Sequence, residues 1–375
     1  MKIAIDATRA VIENAGIGRY TFEITKSMIK QGSRHNFIVY STHFRDSRDK
    51  TEKFNSFQSS NTRLKRLRIP GKVKEIAWGL KVDWLKSFLE GSDILFAPSF
   101  FEVGLGFRIN QVVTIHDMTA FLFPCQRGEV LSRYLSKRTL EAITCAKGII
   151  CISKSTKRDL IRFCPESSDK SMVIYPGKKV FNCKSNRLVD GLQKGSYILT
   201  VGTIEPRKNL IGLVRAYRSL SADLKKKFPL VIAGGKGWND DEIYREFKSR
   251  DLKPYLVLTG FVSDEKLACL YQNCCIFAYP SFYEGFGLPV VEAQSFGIPV
   301  LTSDVSSLPE AGGDGALYVN PNSIEEIARG LETLLTDGSL RKSLGRKALL
   351  NANKFSWERA AKKTLETLER FCDKN

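Results

Sequence analysis

Pro280-Ser281-Phe282-Tyr283-Glu284-Gly285-Phe286-Gly287-Leu288-Pro289-Val290-Val291-Glu292 carries the clearest architectural signal in the chain. It follows a short apolar run, 276–279, that reads as a buried strand. It leads into a helical pattern over 288–296, with Pro289 in the first turn, where its missing N–H has no partner to lose. A buried strand that passes through a Gly-rich loop into a helix is half of a parallel crossover unit. The unit recurs along the chain. In the first half the expected strands are 2–6, 36–40, 94–97, 112–116, 148–152 and 172–175. In the second half they are 197–201, 230–233, 255–258, 276–279, 299–302 and 316–319. Apolar strands alternating with helices predict parallel sheets covered on both faces, and two such sets predict two doubly wound α/β domains. The expected domains are 1–180 and 181–355, followed by a terminal helix, 356–375, that crosses back to the first domain. Ser356 is its N-cap candidate, and Trp357, Ala361, Leu365, Leu368 and Phe371 fall near one face.

With 43% apolar and 26% charged residues among 375, the chain is not a disordered or fibrous one. No run approaches the ~18 apolar residues of a membrane span, and no secretory pattern is visible, which predicts a cytoplasmic protein. The nine cysteines are irregularly spaced and include no Cys-x-x-Cys, so neither a zinc ribbon nor a redox pair is expected. Of the net charge of +18, residues 1–180 hold +14, from 31 basic and 17 acidic side chains. That asymmetry points to an anionic partner for the first half.

In open α/β sheets ligands bind beyond the carboxyl ends of the strands, and the chemically distinctive residues cluster there. Gly16-Ile17-Gly18-Arg19-Tyr20 follows the first strand and opens a helix, an arrangement that brings backbone N–H groups to a phosphate. Thr21 replaces the third glycine of the dinucleotide fingerprint, and a plain turn into a helix stays open as the alternative. His116 and Asp117 end an apolar strand, where His116 would reach a bound ligand; a satisfied structural histidine is the alternative. His35 and His43, in polar surroundings, are expected at the surface. Gly202-Thr203-Ile204-Glu205-Pro206-Arg207-Lys208-Asn209 places two cations at a helix start, against the helix dipole, where they suit a diphosphate. A solvated basic turn is the alternative. Glu284 and Glu292 can each accept paired hydrogen bonds from vicinal hydroxyls, which suits a sugar ring. Glu292 on a helix could equally be an ordinary surface carboxylate.

Taken together these residues resemble a known family. Glu284 and Glu292 match the E-x7-E element of retaining glycosyltransferases with the GT-B fold. Gly202-Thr203 with Glu205 to Asn209, and Gly16 to Tyr20, are similar to glycosyltransferase family four, and Thr114 to Asp117 to its bacterial mannosyltransferase-like branch. The similarity extends to Phe355-Ser356-Trp357. It implies GT-B architecture, two Rossmann-like domains facing across a cleft. Arg207 and Lys208 would hold the donor diphosphate and stabilise it as it leaves. Glu292 would bind the ribose and Glu284 the sugar hydroxyls, with Gly285, Phe286, Gly287 and Leu288 completing the donor loop. Gly16 and Gly18 would bring amides to the phosphates or sugar, and His116 would lie near the transferred sugar. Gly260, Phe261 and Val262 would border the base. Asp117 is a weaker candidate that would orient His116. The chain lacks any Asp-x-Asp, so no metal and no cofactor beyond the nucleotide-sugar donor is expected.

The mannosyltransferase-like motifs favour GDP-mannose over a UDP-hexose donor. The acceptor expected is a glycan or lipid-linked glycan of a surface polysaccharide. The segment 63–88 carries eight Lys/Arg with Trp78, Leu80, Trp84, Leu85 and Phe88, a basic amphipathic pattern that suits the cytoplasmic face of an anionic membrane. A helix that turns its Trp residues inward is the alternative. Three other functions stay open on the sequence: a GT-B epimerase or phosphorylase, a nucleic-acid binder (disfavoured, since no reader motif is present) and a scaffold without activity.

Overall fold

The computed structural model describes residues 1–14, 16–70, 73, 76, 89, 91–100, 109–124, 128–181, 192–237 and 241–372. The chain divides into two compact units, 1–177 with 356–375, and 178–355.

The first unit is built on seven parallel strands: β1 (Lys2–Asp6), β2 (Asn36–Thr42), β3 (Thr62–Leu67), β4 (Ile94–Ala97), β5 (Asn110–Ile115), β6 (Gly148–Cys151) and β7 (Ser171–Val173), in the order β3-β2-β1-β4-β5-β6-β7. The central strands are apolar because both faces are covered. Ile3, Ala4 and Ile5 of β1 are fully buried between β2 and β4, with Ile3 beside Phe37 and Ile94.

β3 corrects the reading of 63–88 as one amphipathic segment, because its first residues are an edge strand and not a helix. A parallel edge leaves backbone groups unpaired, and charged side chains such as those of Arg63 and Lys65 discourage another strand from adding there. Trp78, Leu80, Trp84, Leu85 and Phe88 lie outside the described residues.

The last helix, Trp357–Phe371, belongs to this first unit. Ser356 caps it, its Oγ accepting from Arg359 N at 3.1 Å. Trp357, Ala361, Leu365 and Leu368 are buried. The helix packs against the helix Ile17–Gln31, where Gln31 Nε2 donates to the Glu358 carbonyl at 2.8 Å. The Phe371 ring occupies the space a Cβ on Gly148 would need.

The expectation that His35 and His43 are surface residues is overturned, since both are buried. His35 Nε2 lies 3.2 Å from Glu369 of the last helix, and His43 sits between Ser41 and Asp46. For His43 the polar neighbours in sequence are hydrogen-bond partners and not signs of exposure, while His35 is paired with a residue from the far end of the chain.

The second unit has six parallel strands: β8 (Ile198–Val201), β9 (Leu230–Ala233), β10 (Leu256–Gly260), β11 (Ile276–Tyr279), β12 (Val300–Ser303) and β13 (Ala316–Val319), in the order β10-β9-β8-β11-β12-β13. Its core joins Leu213, Tyr217, Ile232, Leu301 and Leu331 under the covering helices. Each sheet reverses its winding once, between β1 and β4 and between β8 and β11. The loops after those paired strands therefore open at a switch point, where such sheets bind ligands.

Candidate active site

In the second unit, β8 and β11 are neighbours although 78 residues apart, with Ile198 beside Ile276. Their carboxyl ends bring together the two motifs that follow them. Pro206–Lys208 forms one 3-10 turn, and Asn209 then takes the left-handed conformation at φ 53°. That reversal starts the helix Leu210–Arg218. The Asn209 Nδ2 ties the turn down by donating to the carbonyls of Pro280 at 3.0 Å and Pro321 at 2.7 Å. Phe282 N donates to the Arg207 carbonyl at 3.0 Å, which joins the two loops directly.

The side chains form one buried ionic cluster. Arg207 Nη1 donates to Glu284 Oε2 at 2.8 Å and to the Tyr283 carbonyl at 2.7 Å. Its Nη2 donates to Glu205 Oε1 at 2.5 Å. Lys208 Nζ donates to Glu284 Oε1 at 2.6 Å and to the Tyr279 hydroxyl. That hydroxyl in turn donates to Glu284 Oε1 at 2.9 Å. The Glu284 backbone is fixed by Ser306 and Ser307: its N–H donates to Ser306 Oγ at 3.1 Å and its carbonyl accepts from Ser307 Oγ at 2.7 Å.

Burial alone would raise the Glu284 pKa, but Arg207 and Lys208 outweigh it and hold the carboxyl at about 2. For Lys208, burial lowers the pKa and Glu284 opposes that effect. The two cations are thus buried and paired, which excludes the solvated basic turn that the sequence left as the alternative. Two carboxylates neutralise them, so their placement at a helix start carries little electrostatic cost.

Glu292 follows Glu284 by eight residues. It is buried on the helix Leu288–Ser295, and Tyr271 donates to its Oε2 at 3.2 Å, so the surface-carboxylate alternative is excluded. Gly287 caps that helix at φ 106°, a conformation open to glycine. Phe286 turns inward onto Phe355, with ring centroids 5.2 Å apart, so Phe286 contributes its backbone and not its ring to the loop surface. Gly260 ends edge strand β10 at φ 65°, and Phe261 beside it is 80% exposed.

In the first unit, His116 lies just past β5 and is buried. Its Nε2 donates to the Pro98 carbonyl at 2.8 Å, which fixes the tautomer and leaves Nδ1 as an acceptor. Burial lowers its pKa, against smaller opposing effects of Pro98 and Asp117. Tyr20 meets the imidazole edge-on, centroids 4.7 Å apart. Asp117 does not orient His116 as expected: its Oδ1 accepts from Thr119 N at 2.9 Å, and the orienting contact comes from Pro98.

The two glycines near β1 have different reasons. Gly16 has φ 54° and open space around it. A Cβ on Gly18 would stand 2.5 Å from the Glu13 carbonyl and 2.8 Å from that of Arg9, so Gly18 is required by close packing.

Glu205, Tyr279, Asn209, Ser306 and Ser307 were assigned no role from the sequence. A carboxylate two positions before Arg207 was the one available signal. Among the described residues no group of three or more His, Cys, Asp or Glu could hold a metal ion, and no helix is long and apolar enough to cross a membrane.

Comparison with known proteins identifies the family and the fold. Residues 14–178 match the family described as Glycosyltransferase Family 4, and residues 189–350 match Glycosyl transferases group 1. The chain is 30% identical over 370 residues to O-antigen chain mannosyltransferase B of Escherichia coli, covering 93% of this chain and 94% of that one. Among solved structures, sucrose-phosphate synthase from Thermosynechococcus elongatus superposes with a TM-score of 0.75 at 18% identity, over 99% of this chain and 98% of that one. Anabaena Alr3699/HepE, in complex with UDP and glucose, gives 0.74 at 18% identity, over 98% and 99% of the two chains. These last two likenesses are of fold: both proteins share the pair of parallel-sheet domains. The chain belongs to glycosyltransferase family four and has its two-domain GT-B fold.

Proposed function

We propose that this glycosyltransferase moves mannose from GDP-mannose, with retention of anomeric configuration, to a lipid-linked glycan during O-antigen or related surface polysaccharide synthesis. The observation that carries the reading is the buried Arg207–Lys208–Glu284 cluster at the β8/β11 switch point. The named activity of the Escherichia coli relative supports mannose as the sugar and O-antigen as the product class.

In the transfer, the bond from the anomeric carbon to the diphosphate oxygen breaks, and its electron pair stays on the diphosphate. The acceptor hydroxyl attacks the same face of the sugar, and its proton passes to the departing diphosphate oxygen. Arg207 and Lys208, held in place beforehand, stabilise the growing negative charge without reorganising. The arriving diphosphate takes over these cations from Glu284, whose released carboxylate then accepts hydrogen bonds from the sugar hydroxyls. In this reading the clamp does the work a metal does elsewhere, and no metal is required. His116 offers its Nδ1 to a sugar hydroxyl, Gly16 its amide, Glu292 its carboxylate to the ribose, and the Gly260–Val262 turn borders the base. The net positive first unit faces an anionic membrane surface.

A ligand-induced thermal shift across GDP- and UDP-sugars, with and without magnesium, tests the donor. A donor at a hundredfold excess over its Kd stabilises the native state by about 2.7 kcal/mol. A shift with GDP-mannose, unchanged by magnesium, is expected; a shift with UDP-sugars alone overturns the donor. Arg207→Ala and Lys208→Ala are each expected to lower turnover by roughly 10²–10³, and near-normal turnover in both refutes the clamp. Flotation with anionic liposomes is expected to enrich the protein; equal recovery with neutral liposomes refutes the membrane reading.

A further inference from the structure

The cluster contains two carboxylates, and they are not equivalent. Glu284 lies on the Gly-rich loop and bridges both cations, one oxygen on each. Among the described residues the Glu205 carboxylate hydrogen-bonds to Arg207 alone, at 2.5 Å, and Glu205 is 2% exposed against 7% for Glu284. It also sits on the same turn as Arg207, two residues earlier and in extended conformation at φ −145°. Its position relative to the guanidinium is therefore set within that turn.

We propose that Glu205 is a positioning residue for the transfer: the fixed counter-ion that aims the Arg207 guanidinium, while Glu284 is the exchangeable one. This rests on reading Arg207 and Lys208 as the diphosphate clamp.

The guanidinium is a planar fork, and its orientation is defined only when more than one of its nitrogens is held. Nη1 is held by Glu284 and the Tyr283 carbonyl, and Nη2 by Glu205. When Glu284 gives way to a diphosphate, Glu205 remains the charged group that keeps the fork in plane. Lys208 keeps the Tyr279 hydroxyl in the same way. A compact ammonium needs no planar aim, which accounts for the second carboxylate lying on the arginine and not on the lysine.

The arrangement also has an electrostatic consequence. A carboxylate this close to Arg207 weakens the pull of the guanidinium on any anion in the ground state. Glu205 therefore trades affinity for the nucleoside diphosphate against orientation during bond breaking. Removing its charge while keeping its hydrogen-bond acceptor separates the two effects.

The test uses the full chain with Glu205→Gln and Glu205→Asp. Calorimetry measures Kd for GDP and UDP, and turnover is read as nucleoside diphosphate released from GDP-mannose or UDP-glucose, whichever binds. In Glu205→Gln, Kd for the nucleoside diphosphate is expected to stay level or fall several-fold, while kcat drops about 10–100-fold, the scale of a misaligned catalytic group. Glu205→Asp keeps the charge but withdraws it by one methylene. It is expected to lose kcat with Kd unchanged and the melting temperature close to that of the parent.

A merely structural role would lower the melting temperature of Glu205→Gln and leave both Kd and kcat of the folded fraction intact, and that result overturns the proposal. Loss of kcat and of affinity in parallel overturns it too. Should Glu205→Gln fail to fold, Glu205→Asp decides alone: unchanged kcat refutes the positioning role. Failure of the underlying clamp is recognised separately, because it appears as no GDP or UDP binding to the unmodified protein, or as undiminished binding in Arg207→Ala.

Discussion

Replacing Glu284 by Gln removes one negative charge from between two buried cations while keeping the shape and an acceptor oxygen. In the folded protein the Glu284 carboxyl is held at about 2 against an ordinary value of 4.5. At ~1.4 kcal/mol for each pH unit, that pairing contributes about 3 kcal/mol to the stability of the folded state at neutral pH. The side chain is buried, so solvent screening takes little from this figure. The sign follows from the depressed folded value. The contribution is fully present above pH 4.5, declines as the pH falls, is roughly halved near pH 3, and vanishes below about 2. For a domain of about 150–250 residues, ~2–4 °C accompanies each kcal/mol, so Glu284→Gln should melt about 6–12 °C below the parent at pH 7. Denaturant unfolding of both proteins from pH 7 to pH 3 gives the decisive comparison. The gap should be largest at neutral pH and shrink steadily below 4.5, since the parent then loses the charge that the variant already lacks. A gap independent of pH, or a variant more stable than the parent at pH 7, would refute the ion-pair reasoning and leave Glu284 as a tolerated acid in a site optimised for ligand alone.

Two further outcomes concern the first unit. His116 is buried with its pKa below 6.5, so the unfolded chain binds a proton that the folded one resists. His116→Gln should therefore remove a component of the stability loss seen as the pH falls below 6.5, read from melting temperatures between pH 7 and 5; an unchanged slope would contradict the buried neutral imidazole. Gly18→Ala should destabilise by ~1–3 kcal/mol, because its Cβ would press on the Glu13 and Arg9 carbonyls, which have no side-chain rotation with which to yield. Chemical denaturation measures it, and a neutral result would mean that the backbone at 9–13 shifts easily.

The alternation of apolar runs with helical periods was enough to foresee two parallel-sheet domains, because periodicity is a local signal carried by each segment. The same holds for Ser356 and the buried face of the last helix: cap and stripe are written within sixteen residues, Ser356 to Phe371. The positions of Arg207, Lys208 and Glu284 at strand ends were legible for the same reason. Their mutual pairing was not. Arg207 and Glu284 are 77 residues apart, and they meet because β8 and β11 are neighbours, a fact of strand order that no local pattern encodes. Strand β3 was missed because its charged residues mask the weak alternation of an edge strand. His43 was misplaced because a polar neighbour in sequence can be either solvent-facing company or a hydrogen-bond partner, and His35 because its partner Glu369 comes from the last helix, which only packing brings near. Asp117 beside His116 suggested an orienting pair, yet the Pro98 carbonyl, from the loop after β4, reaches the imidazole instead. Local pattern was enough for the central strands, the covering helices and the side chains at their ends, because each of those signals lies within one short segment. Which of those side chains pair their charges emerged only from the packed domain, because ionic pairing depends on distances across a sheet whose order is settled when the whole domain is assembled.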